Sequence, residues 1–73
     1  MKLQINGDER EFPDADLSFS LSALIDNLGM KADRVAVELN RDIVPRDRWQ
    51  DTVLQEGDRL EVVHFVGGGN LIA

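Results

Sequence analysis

The residues best suited to chemistry stand together near the C-terminus: Gly67-Gly68-Gly69, preceded by His64-Phe65-Val66. Three consecutive glycines give a backbone without side chains, able to enter a narrow slot and to take positive φ without steric cost. Counted from Val66 to Gly69 at about 3.3–3.6 Å per residue, an extended run carries its end roughly 13 Å beyond its root. That distance reaches another protein's active site. The plainer alternative is a flexible tail or linker, and glycine content alone does not separate the two. The run is neither a Walker loop, which needs a following Lys-Ser/Thr pair and helix, nor a dinucleotide fingerprint, which needs a helix after it.

Other chemistry has little material. The chain has no cysteine, no tyrosine and a single histidine, His64, which leaves a catalytic reading little to work with and no triad to assemble. His64, Phe65 and Val66 are candidate contacts to a partner at the root of the glycine run, although a half-exposed strand histidine with no catalytic task is the simpler reading of His64. The 14 acidic residues are scattered without the spacing of a calcium loop or a carboxylate pair, which leaves solvation as their default role. No metal site and no bound cofactor are expected. Arg46, Asp47 and Arg48 beside Trp49 form either a recognition corner or a salt-bridged turn over a buried indole.

A formal charge of −6 disfavours nucleic-acid binding, which needs cations to displace phosphate counterions. No apolar run approaches the ~18–20 residues of a membrane span, and Met1 to Asn6 lack the apolar centre of a signal peptide. A cytoplasmic protein acting without nucleic acid or membrane is the expectation.

The elements that must position the glycines follow from periodicity. Leu3 and Ile5 alternate with polar residues, Asn6-Gly7 signals a tight turn, and alternation resumes from Glu9 to Phe12, giving a hairpin. From the N-cap candidate Ser20, the apolar residues Leu21, Leu24, Ile25 and Leu28 recur at helical spacing, with Gly29 placed for a left-handed cap. Ser18 is an alternative start. Val35, Val37 and Leu39 alternate on a third strand, Asn40-Arg41-Asp42 turns the chain, and Ile43-Val44 continue the sheet before Pro45. A turn or brief 3₁₀ segment anchored by Trp49 is expected between Arg46 and Gln55. Arg59 to Val66 is the strongest strand, rich in β-branched residues, and its nearly unbroken apolar second half predicts a central strand covered on both faces. The order predicts an α+β fold of the β-grasp, ubiquitin-like kind: a mixed sheet of four to five strands around one main helix, the first and last strands parallel at its centre. Residues 1–66 form the domain and residues 67–73 a flexible Gly-rich tail.

The stretch Val35-Ala36-Val37-Glu38-Leu39-Asn40-Arg41-Asp42-Ile43-Val44-Pro45-Arg46, then Trp49, then Gly57-Asp58 running into His64-Phe65-Val66-Gly67-Gly68-Gly69, resembles the ThiS-type sulfur carriers of thiamine biosynthesis. The similarity spans nearly the whole chain to Gly69. It implies a carrier that is not itself an enzyme. A ThiF-like adenylyltransferase using ATP and magnesium converts the terminal glycine carboxylate to an acyl-adenylate, sulfur from a cysteine desulfurase or another donor displaces AMP, and a thiazole synthase consumes the resulting thiocarboxylate. By this resemblance Gly69 is the acceptor, with Gly68 and Gly67 before it. The sequence departs from the family pattern in Asn70-Leu71-Ile72-Ala73, which follow Gly69 where mature members end. Trimming by a protease, an engineered extension, or a carrier-like fold that has lost the chemistry are the competing explanations. A molybdopterin or other biosynthetic sulfur carrier, and a non-catalytic ubiquitin-like interaction or modifier module, are the alternative functions.

Overall fold

The computed structural model describes residues 1–66 and 70–72. Strand β1 (Lys2–Ile5) turns through Asn6 and Gly7, both at positive φ (52° and 87°), into β2 (Asp8–Glu11). Paired positive φ values make the tight turn whose twist matches a two-residue hairpin, which is what Asn-Gly supplies. Leu3 and Ile5 face the core, whereas all four residues of β2 are exposed. Their charges suit an edge strand, because they discourage a second chain from pairing there.

Helix α1 (Leu21–Asn27) starts where Ser20 Oγ accepts from the Ala23 N–H at 3.1 Å. Its other end is closed by Gly29 (φ 74°): the Gly29 N–H donates to Asp26 O and the Met30 N–H to Ile25 O, so two otherwise unpaired carbonyls are satisfied. Leu21, Leu24 and Ile25 are buried, and Leu28 packs at the core's margin. The loop before α1 is braced by Asp16, whose Oδ1 accepts from the N–H (2.8 Å) and hydroxyl (2.7 Å) of Ser18. Those bonds, the hydroxyl's first, hold the exposed Asp16 carboxyl below its usual value.

After a 3₁₀ turn at Ala32–Arg34 comes β3 (Val35–Leu39), then Asn40 and Arg41 at positive φ, then β4 (Asp42–Ile43). A second 3₁₀ segment, Arg46–Asp51, buries Trp49, whose indole N–H donates to Val44 O at 2.9 Å. The exposed Arg46-Asp47-Arg48 turn therefore sits over a buried indole. Strand β5 (Arg59–Val66) lies between β1, to which it is parallel, and β3, to which it is antiparallel; the sheet order is β2-β1-β5-β3-β4. This is the β-grasp arrangement, with α1 packed on one face. A short sixth strand, β6 (Asn70–Ile72), pairs antiparallel with β5, one more strand than the four to five expected. Of the tail expected from residue 67 onward, residues 67–69 and 73 lie outside the described residues.

One expectation is corrected. β5 is not covered on both faces: Leu60 and Val62 are buried, Glu61 is exposed, and Val63 and Phe65 are half-buried on the opposite face. A single helix has a face for only one side of the sheet, so β5 alternates as a half-solvated strand does.

Leu24 is fully buried, and Leu24→Ala is expected to cost about 2–5 kcal/mol in urea unfolding. For Asp16, NMR titration is expected to give a midpoint below the ordinary 3.8, moving up in Ser18→Ala. Because the folded value is the depressed one, the stabilisation is present above the unfolded value and is lost as pH falls through the folded one. A native midpoint at or above 3.8 contradicts the assignment.

Candidate functional site

The candidate site is the C-terminal end of β5. The strand that leads into the glycines is the central one, so its direction is fixed from both flanks. On the β3 side the Asn40 N–H donates to Arg59 O at 2.7 Å, and the Arg59 N–H returns a bond to Asn40 Oδ1 at 3.0 Å. Asn40 Nδ2 also donates to Asp58 Oδ1. On the β1 side the Asn6 N–H donates to Leu60 O at 2.9 Å. The Asn6 carboxamide then takes both main-chain groups of Val62: the Val62 N–H donates to Oδ1 at 2.7 Å, and Nδ2 donates to Val62 O at 3.1 Å. Two asparagines in left-handed turns thus flank β5. Asn tolerates that backbone region while keeping a side chain that mimics a peptide group.

Of the residues singled out from the sequence, His64 is exposed, with Val35 across from it on β3. Phe65 is half-buried on the face away from α1. Val66 ends β5, and Gly67, Gly68 and Gly69 lie outside the described residues. Sequence reading missed the surface beside this end. Ala36 and Ile43 share the helix-free face with Val63, and Ile43 is 76% exposed. Together they line a shallow depression of about 110 Å³ bordered by Glu38 and Glu61. The signal was present in the short apolar pair at Ile43 and in the period-two spacing of Val63 and Phe65, which puts apolar residues on a face that no helix among the described residues covers.

Among the described residues no polar or charged side chain is buried, and no cluster of three potential metal ligands occurs. No helix of the described residues is long and apolar enough to cross a membrane. What the arrangement offers is a strand, bonded on both flanks, that ends beside an exposed apolar strip.

Residues 3–69 match the ThiS family, a span that begins in β1 and ends on the third glycine. The chain belongs to the ThiS family. It is similar to the thiazole synthase of Paramagnetospirillum magneticum, 44% identical over 70 residues that make up 96% of this chain and 21% of that protein. The chain spans about a fifth of the length of the thiazole synthases it matches. It is also similar to the sulfur carrier protein ThiS of Bacillus subtilis, 46% identical over 35 residues, which are 48% of this chain and 53% of that one. The crystal structure of the thiamine biosynthesis protein ThiS from Geobacter metallireducens superposes with a TM-score of 0.80 at 33% identity, covering 94% of this chain and all of that one (100%). This ThiS-family domain has the β-grasp fold of the solved ThiS structure, and one of the relatives it resembles is a sulfur carrier protein.

Asn6→Ala removes both bonds to Val62 and places alanine at positive φ. A loss of about 1–3 kcal/mol in urea unfolding is expected, since the Val62 main-chain groups are left unpaired. Asn6→Gly keeps the turn but not the carboxamide, and should be destabilised by a smaller amount.

Proposed function

We propose that this domain is a sulfur carrier for thiazole formation in thiamine biosynthesis, with Gly69 as the acceptor residue. The observation that carries the reading is the family match, which runs to Gly69 and stops there. In the proposed cycle a ThiF-like adenylyltransferase, using ATP and magnesium, lets the Gly69 carboxylate attack the α-phosphorus of ATP and release pyrophosphate. A sulfur nucleophile, loaded by a cysteine desulfurase or another donor, then attacks the acyl carbon and expels AMP. When a cysteine desulfurase supplies the sulfur as a donor persulfide, the acyl disulfide so formed is cleaved by a thiol reductant, which forms a disulfide with the donor cysteine and leaves the sulfur as a thiocarboxylate for a thiazole synthase to consume. These steps place the domain in the cytoplasm, where ATP and reduced sulfur coexist.

The physical requirements suit the chain end. A carboxylate at a glycine meets no side-chain resistance on entering a partner's site or on attack at its carbonyl carbon. The catalytic groups belong to the partners, while the domain supplies the direction fixed by β5 and the apolar strip of Ala36, Ile43 and Val63 for docking. Thiazole formation is preferred over molybdopterin chemistry because a segment like this one lies within proteins named thiazole synthase. Gly69 is followed by Asn70 in this chain, so the carboxylate requires hydrolysis of that peptide bond by a protease. A second reading, an interaction or modifier module that retains the segment, is favoured by the pairing of Asn70–Ile72 with β5.

Intact mass spectrometry of the protein from its native cell tests the proposal. The expected species ends at Gly69, part of it heavier by the exchange of one oxygen for sulfur; uniform retention of Ala73 favours the interaction module instead. In the trimmed protein, Gly68→Val is expected to abolish adenylation, read as loss of ATP–pyrophosphate exchange with the adenylating enzyme.

A further inference from the structure

The ladder along one edge of β5 is interrupted and then resumed by a different segment. Main-chain groups on a strand address its two neighbours alternately. Arg59 bonds to Asn40 on the β3 side, whereas Leu60 and Val62 bond to Asn6 on the β1 side. The same alternation turns the N–H and C=O groups of His64 and Val66 to the β1 side. There β1 has already left the sheet: its pairing with β5 ends at Ile5↔Leu60, and Asn6 starts the turn. The vacated edge is occupied by β6, in the register His64↔Ile72, Phe65↔Leu71 and Val66↔Asn70.

We propose that the His64–Val66 edge of β5 is a strand-docking strip, held in this chain by its own Asn70–Ile72 and taken, once those residues are gone, by an extended segment of the adenylating enzyme. A strand edge with unpaired donors and acceptors is a template for another chain, and main-chain pairing supplies affinity without demanding particular side chains. β6 shows that this edge accepts an antiparallel strand. Its position at the root of the glycines means that a partner's strand laid there would hold the chain's exit direction at the point where it enters the enzyme. Removing residues 70–73 then does two things: it creates the carboxylate and it uncovers the strip. The naming of the occupant rests on the sulfur-carrier reading above; the existence of the strip does not.

Amide hydrogen exchange followed by NMR, on the full chain and on a chain ending at Gly69, tests the proposal. The shorter chain keeps every described core residue, Leu3 through Val62, and so retains the packing that holds the fold. The His64 and Val66 amides are expected to exchange at least about tenfold faster in the shorter chain, the equivalent of losing one net hydrogen bond. Val63, which faces β3, should not change. Adding the purified ThiF-like adenylyltransferase should restore slow exchange at His64 and Val66. Equal exchange in the two chains overturns the strip whatever chemistry the protein performs. Faster exchange that the enzyme does not reverse, although Gly69 is adenylated, overturns the partner strand and leaves the carrier reading intact. Failure of Gly69 to be adenylated overturns the carrier reading and the named occupant with it, while the comparison of the two chains still decides the strip.

Discussion

The parallel pairing of β1 with β5 brings together residues 56 positions apart, Asn6 and Val62, and the rest of the architecture depends on that closure. Closing so long a loop costs conformational entropy, and parallel strands cannot be joined by a tight turn. The intervening chain must therefore cross over the sheet, and α1 is the element that does so. Its buried face, Leu21, Leu24 and Ile25, packs with Leu3, Ile5, Leu60 and Val62 in one cluster. Hydrophobic burial thus offsets the entropy of bringing the chain's two ends side by side.

Placing the last strand at the sheet's centre has a cost as well as a use. One helix shields one face, so the second face remains in water with Ala36, Ile43 and Val63 on it. For an isolated domain this strip is a mild liability. For a domain whose terminus must be presented to other proteins, it lies beside the end that is presented. Core and apolar strip come from the same strand: Leu60 and Val62 of β5 lie in the core, and Val63 lies on the open face.

Much of this was legible in the sequence. The bounds of β3 and β5, the Asn6-Gly7 turn, the Ser20 cap and the Gly29 terminus all follow from local rules, because in each case a residue type answers a backbone requirement at its own position. Strand β2 is shifted by one residue from the alternation at Glu9 to Phe12, and β4 covers Asp42–Ile43 where Ile43-Val44 were expected, shifts of the size to which strand ends are subject. Less legible were features set by distant partners. The run Val62 to Val66, apolar but for His64, reads as a covered strand, and only the presence of a single α-helix among the described residues reveals that one side has no cover. The roles of Asn6 and Asn40 as brackets for β5 were equally hidden, since a turn asparagine looks the same whether its carboxamide faces solvent or a strand across the molecule. The strand at Asn70–Ile72 had no local signal, because what calls it into the sheet is the edge left where β1 departs.

The bracket at Asn6 also bears on how the molecule ages. An asparagine followed by glycine is a preferred site for slow loss of side-chain ammonia, and asparagine is among the thermolabile residues. In this fold the Asn6 nitrogen donates to Val62 O. Conversion to a carboxylate would set a negative oxygen against that carbonyl and remove the donor, so chemical wear at a surface hairpin would be felt in the central strand. The hydrogen bonds that hold the carboxamide in place also restrict the movement such a reaction needs, and the same contacts that make the position vulnerable in consequence make it slow to decay.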